Sequence, residues 1–176
     1  MGSQEPRVLV AYATKNGSTA EIAEHVAGEL AKAGCAVTVR PAAQAWRIVG
    51  EYDAVVLGGA LYAGRWHRDA RRCAWRARHE LAARPVWLFS SGPLDASASE
   101  RDIAPVAGVR RLADRTDARG HVTFGGRLDE NARGRMARMI VKNGRGGDFR
   151  DFERIGAWAR GIAGELVTSS DGSRSH

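Results

Sequence analysis

The sequence predicts a doubly wound α/β fold, a five-stranded parallel sheet with helices on both faces, built as one domain over residues 1–167. Three observations point to it. Short apolar runs rich in β-branched and aromatic residues recur along the chain, as strands buried on both faces require. Stretches with apolar residues at three- and four-residue spacing separate them, the mark of amphipathic helices. The first strand, loop, helix and second strand are complete by residue 40, the length of a right-handed βαβ unit, so neighbouring strands should be parallel.

Taken in order, the first strand is Arg7-Val8-Leu9-Val10-Ala11-Tyr12-Ala13. After a polar loop, Ala20, Ile22, Ala23, Val26, Ala27, Leu30 and Ala31 share one helical face. Ser18 or Thr19 is the expected N-cap of that helix, and Gly34 its stop. The second strand is expected over 36–40 and the third over 54–57, the latter followed by Gly58-Gly59. A helix is expected over 68–83, and Pro85 to Ser90 reads as the fourth strand. Pro93 and Pro105 confine the next helix to about 106–115, and the fifth strand lies within 121–126. Phe152, Ile155, Trp158, Ala159, Ile162, Ala163 and Leu166 place a closing helix over 152–167. Residues 168–176 are polar and are expected to form a disordered tail. In such a sheet the ligand lies at the carboxyl ends of the strands, so function is sought in the loops found there.

A chain of 176 residues, 44% of them hydrophobic, can bury a core without disulfides or a structural metal. Cys35 and Cys73 are far apart and lie in no C-x-x-C or Cys/His array, so no metal site is expected and both thiols should be reduced. No run approaches the ~18 consecutive apolar residues of a membrane span. Met1-Gly2-Ser3-Gln4-Glu5-Pro6 lacks the order of a signal peptide, and a cytoplasmic location is expected. Lys plus Arg number 27 against 20 Asp plus Glu, a formal charge of +7 that favours an anionic partner. Helix-turn-helix, zinc-finger and RNP patterns are missing, so nucleic acid is not the expected partner. An anionic membrane surface and an acidic small molecule stay open, beside a merely solvated basic surface.

The first loop, Thr14-Lys15-Asn16-Gly17-Ser18-Thr19, carries three hydroxyls, an amide and a glycine at a helix start. Free backbone N–H groups and the positive helix end suit an anion there. Neither G-x-x-x-x-G-K-[ST] nor G-x-G-x-x-G is present, which argues against a nucleoside triphosphate or a dinucleotide. A hydroxyl-rich cradle with little fixed charge suits a phosphate monoester. A loop that merely caps its helix is the alternative.

That loop, directly after an apolar first strand, resembles the phosphate loop of flavodoxins. The likeness continues through Tyr52-Asp53-Ala54-Val55-Val56-Leu57-Gly58-Gly59 and Phe89-Ser90-Ser91-Gly92-Pro93, and spans about residues 7–166. It implies strand order 2-1-3-4-5 and FMN as cofactor, held at its phosphate by Thr14, Lys15, Asn16, Gly17, Ser18 and Thr19. It further implies a second flavin-contacting segment at Gly59, Ala60, Leu61, Tyr62, Ala63 and Gly64, and a third at Ser90, Ser91, Gly92 and Pro93. Glycines in the second segment would let backbone N–H groups reach the flavin N5 region. Tyr62 and Trp66 are candidates for stacking on the ring, with core packing as the alternative, and His67 is a candidate proton relay or a surface residue. The third segment lacks the aromatic residue that many flavodoxins place over the flavin, which implies a more open face.

Within that superfamily, Gly64-Arg65-Trp66-His67, the basic stretch from Arg133 to Lys142, and Gly146-Gly147-Asp148 resemble the flavodoxin-type, menaquinone-dependent protoporphyrinogen oxidases of heme biosynthesis. The resemblance implies an oxidoreductase acting on an acidic substrate with a quinone acceptor, and a distinguishing insertion over 128–151. Met136, Met139, Ile140 and Val141 alternate there with Arg133, Arg135, Arg138 and Lys142. Such a basic amphipathic segment suits peripheral contact with the inner membrane face, substrate carboxylates, or packing on its own domain. An electron-carrier flavodoxin serving protein partners is the alternative function, its basic charge selecting an acidic partner.

Overall fold

The computed structural model describes residues 4–92, 102–128 and 147–172. Five parallel strands form its centre: β1 (Arg7–Ala13), β2 (Ala36–Pro41), β3 (Ala54–Tyr62), β5 (Val86–Ser91) and β6 (Gly120–Phe124). Their spatial order is β2-β1-β3-β5-β6, which is 2-1-3-4-5 once a short hairpin strand, β4 (Arg65–Trp66), is set aside. The fold class read from the sequence is therefore the one observed.

Alternation along each strand divides the core into two layers. Val8 and Val10 of β1, Ala54 and Val56 of β3, and Trp87 and Phe89 of β5 face α1 (Ser18–Lys32) and the last helix. Leu9, Ala11, Val55, Leu57, Val86 and Leu88 face the other way, toward α2 (Ala42–Ala45), α3 (Arg68–Arg76), α4 (Arg78–Ala82) and α5 (Ala107–Thr116). With both faces covered, the strands read as nearly unbroken apolar runs rather than alternating ones.

Several boundaries differ from the sequence expectation. Neither Ser18 nor Thr19 caps α1; Gly17 does, at φ 88°, with no side chain capping the helix. Its other end is as expected, with Gly34 at φ 97° and the Cys35 amide closing on the Leu30 carbonyl. The helix expected over 68–83 is broken at Ala77 into α3 and α4. The closing helix, α6 (Phe152–Gly172), runs on through residues assigned to a disordered tail. Thr168 and Ser169 fold their hydroxyls back onto the carbonyls of Gly164 and Glu165, so these polar residues sit in a helix without needing a core.

The second flavin-contacting segment, Gly59 to Gly64, sought among the loops at the strand ends, is largely strand. β3 continues to Tyr62, turns at Ala63 and Gly64, and returns antiparallel as β4, with Leu61 opposite Trp66 and Tyr62 opposite Arg65. Ala63 and Gly64 have φ 48° and 73°, the two positive values that a tight hairpin turn requires. Cys35 and Cys73 are free and buried, and burial pushes the Cys73 thiol up to about 12, leaving it unreactive at neutral pH.

Candidate functional site

At the carboxyl edge of the sheet, three chain segments meet. The phosphate-like loop leaves β1 at Ala13, which pairs with Gly59, so Ala60 to Tyr62 project past the end of β1. Asn16 donates from Nδ2 to the Tyr62 hydroxyl, and the Lys15 ammonium lies 5.4 Å from the Tyr62 ring centre. Thr19 Oγ1 and Ser91 Oγ share a buried hydrogen bond of 2.7 Å, tying the loop to the end of β5. Gly92 extends the sheet by donating to the Phe124 carbonyl.

The loop keeps its shape through its own side chains. Thr14 Oγ1 accepts from the Gly17 amide at 2.9 Å, and Ser18 Oγ accepts from the Arg127 amide at 3.2 Å. A hydroxyl that accepts still has its own O–H to give, so Thr14 and Ser18 each retain a donor, as does one member of the Thr19–Ser91 pair. The first intrahelical bond runs from Glu21 to the Gly17 carbonyl, and no protein group accepts from the amides of Ser18, Thr19 and Ala20 among the described residues. Nothing lies within 4 Å of the position a Cβ would take at Gly17. Three unclaimed amides at the positive end of a helix, beside hydroxyl donors and open space, make a fitting cradle for a phosphate dianion.

Other candidate residues are placed differently. Gly59 lies inside β3, and a Cβ there would meet the Trp66 indole 2.7 Å from Nε1. Trp66 is only 3% exposed and belongs to the core, so its ring fills the space left by Gly59 instead of offering a stacking face. Its Nε1–H has no partner among the described residues. His67 caps α3, its Nδ1 accepting from the Asp69 amide, which leaves the ring proton on Nε2. Burial is the main cause that lowers its basicity. Tyr62 remains at the site, half-buried, with burial raising its phenol. Ser90 is buried and shares a hydrogen bond of 3.0 Å with His121 Nε2. Pro93 lies outside the described residues.

Sequence reasoning missed the charged brace beside the loop. Arg127 and Arg150 both pair with Glu21 in the first turn of α1, and Arg150 also pairs with Asp148 at 2.8 Å. Those pairs hold Arg150 protonated more firmly than an ordinary guanidinium and lower the Asp148 carboxyl. β7 (Arg127–Leu128) and β8 (Gly147–Asp148) pair antiparallel, joining the two ends of the insertion. The base of the insertion thus sits against the phosphate-like loop. A basic residue directly after Gly125-Gly126 was the only sequence signal for this.

A flavodoxin domain family profile matches residues 9–146. The chain belongs to the flavodoxin domain family. FMN is the cofactor of this flavodoxin domain, and the free amides and hydroxyls of the first loop fit its phosphate. Solved structures share the fold at low identity. An archaeal flavodoxin superposes with TM-score 0.60 at 11% identity, covering 91% of this chain and 98% of that one. A short-chain flavodoxin associated with a non-canonical PDU bacterial microcompartment gives TM-score 0.60 at 18% identity, covering 94% and 99%. The rubredoxin oxygen:oxidoreductase of Desulfovibrio gigas gives TM-score 0.63 at 14% identity; the match covers 94% of this chain but only 37% of that protein's length. No curated protein sequence matches the chain. No helix among the described residues is long and apolar enough to cross a membrane.

His121 supplies a prediction from this region. Burial lowers it from 6.5 to about 4, so the native state keeps it neutral while the unfolded chain protonates it at its ordinary value. The stability it supports is complete above pH 6.5 and is lost as pH falls toward 4, where the unfolded state binds the extra proton. Urea unfolding at pH 7 and pH 4 should show His121→Gln narrowing the difference between the two by about 1–3 kcal/mol. An unchanged difference would remove His121 from the acid response.

Proposed function

We propose that this domain is an FMN-dependent oxidoreductase that withdraws electrons from an acidic organic substrate and passes them to a quinone, with protoporphyrinogen IX as the substrate. The observation that supports it is the junction of the basic insertion with the phosphate loop. The Arg127 amide is bonded to Ser18, and both Arg127 and Arg150 are fixed on Glu21. An electron carrier would use such basic charge to select an acidic protein partner, whereas guanidiniums fixed at the base of the insertion beside the phosphate loop suit a substrate with carboxylates.

In this reading the amides of Ser18, Thr19 and Ala20 hold the FMN phosphate, with hydroxyls from Thr14 and Ser18. Ala60, Leu61, Tyr62, Ala63 and Gly64 border the ring system, with Tyr62 held in place by Asn16 and Lys15. Ser91 and Gly92 border its pyrimidine side. FMN, when bound, supplies the chemistry: two electrons and two protons taken from the donor and delivered to the quinone, which becomes a quinol. His67, one residue beyond the hairpin and with its Nδ1 occupied by the Asp69 amide, would exchange a proton through Nε2. In this reading residues 128–151 would meet the substrate's carboxylates or the inner membrane face where the quinone resides, with the protein working from the cytoplasmic side.

The test is anaerobic addition of protoporphyrinogen IX to FMN-loaded protein, followed by a menaquinone analogue. The visible flavin absorbance should bleach and then return, and with excess quinone porphyrin fluorescence should appear as each porphyrinogen passes through three such two-electron turnovers. Protein that dithionite bleaches but protoporphyrinogen does not would end the substrate assignment. Reduction in separate one-electron steps without turnover would favour the electron carrier.

A further inference from the structure

We propose a second anion site, a groove between α3–α4 and α5 that takes a small polyanion built on a flat aromatic body. A cavity of about 810 Å3 lies there, within the size range of small-molecule sites. Arg65, Arg71 and Arg78 line it from β4 and the two consecutive helices, and Arg111 and Arg115 line it from α5. Among the described residues no carboxylate lines it and none of these five guanidiniums is in an ion pair. Like charges gathered around one cavity repel, so the arrangement is most favourable when an anion fills it.

Two of the guanidiniums are already oriented. Arg71 Nε donates to the Trp66 carbonyl at 3.1 Å, and Arg78 Nη1 donates to the Trp75 carbonyl at 2.8 Å. Arg78 also lies 4.7 Å from the Trp75 ring centre. Each keeps further N–H groups for a ligand, and the ordering cost is already met in the free protein. Trp75 is 62% exposed on the groove wall, the most exposed large hydrophobic residue described. An indole open to solvent beside guanidinium forks recognises a planar ring next to paired anionic oxygens.

Phosphate and carboxylate groups share this recognition, so the ligand is either a nucleoside polyphosphate or an aromatic polycarboxylate. The site differs from the flavin site: it meets the hairpin at Gly64, Arg65 and Trp66, shares only Gly64 with the segment assigned to the flavin, and the first loop takes no part. The proposal does not rest on the redox assignment above.

The test is calorimetric titration of FMN-loaded protein at 0.15 M salt, where exposed long-range attraction is largely screened. The probes are ATP, mellitate and inorganic tripolyphosphate. ATP or mellitate should bind at least about 5-fold more tightly than tripolyphosphate, and whichever of the two binds better identifies the phosphate or carboxylate source. Arg111→Ala/Arg115→Ala should weaken both by at least about 10-fold. Trp75→Leu should weaken ATP and mellitate but leave tripolyphosphate unchanged. Flavin fluorescence should report unchanged FMN affinity in both variants. Equal binding of all probes to wild type and variants, no binding of ATP or mellitate, or displacement of the probe by excess FMN would each overturn the second site. Failure to load FMN would count against the cofactor reading alone, because the same titrations on FMN-free protein still decide the groove.

Discussion

Gly58→Ala is expected to destabilise the protein by about 3 kcal/mol, although a glycine inside a strand ordinarily weakens it relative to alanine by about 0.5–1 kcal/mol. The sign is reversed by Phe89. A Cβ on Gly58 would stand 2.0 Å from the tip of that ring, which lies across the glycine from the neighbouring strand. The ring has nowhere to retreat: it is fully buried, and Phe124 and Trp158 close on it with centroids 6.0 Å away. The midpoint of thermal unfolding should fall by roughly 6–12 °C in a domain of this size. Phe89→Leu provides the check. In that background the added methyl should cost less than about 1 kcal/mol, since the contact that punishes it is gone. An equal loss in both backgrounds would show that Phe89 is not the cause.

The same glycines show where sequence reading succeeds and where it stops. The strands were legible because burial on both faces leaves a direct trace, an apolar run such as Val8-Leu9-Val10-Ala11, each of these residues wholly buried. The order of the strands followed from the family likeness and the parallel βαβ rule. The glycines of β3 were read as openings toward a cofactor, but they accommodate Phe89 on one face of the sheet and Trp66 on the other. Composition cannot distinguish those uses, because a missing side chain is silent about what fills its place. Trp66 was open to the same ambiguity, and only its position over Gly59 assigns it to the core. The Glu21 brace escaped notice because its partners, Arg127 and Arg150, are more than a hundred residues away in sequence. The first loop could be singled out in the sequence because its signal is local: hydroxyls, a glycine and a helix start within six residues.

Ser18→Asp should lower FMN affinity by more than about 100-fold while the fold stays intact. Ser18 is the first residue of α1, where a carboxylate interacts favourably with the helix dipole and with the free amides of the first turn. Apo stability should therefore hold or rise slightly. That carboxylate would occupy the donors meant for the phosphate and repel its two negative charges. Unit charges about 4 Å apart interact by about 4 kcal/mol even at an effective dielectric of 20, more than the ~2.7 kcal/mol that a hundredfold loss represents. Ser18→Ala isolates the hydroxyl. It surrenders one donor and the bond to the Arg127 amide but adds no charge, so its loss should stay within about 10-fold. Flavin fluorescence quenching measures both affinities, and far-ultraviolet circular dichroism confirms the fold. Wild-type FMN affinity in folded Ser18→Asp protein would mean that the phosphate does not sit on the amides of Ser18, Thr19 and Ala20, and the flavin site would have to be sought elsewhere.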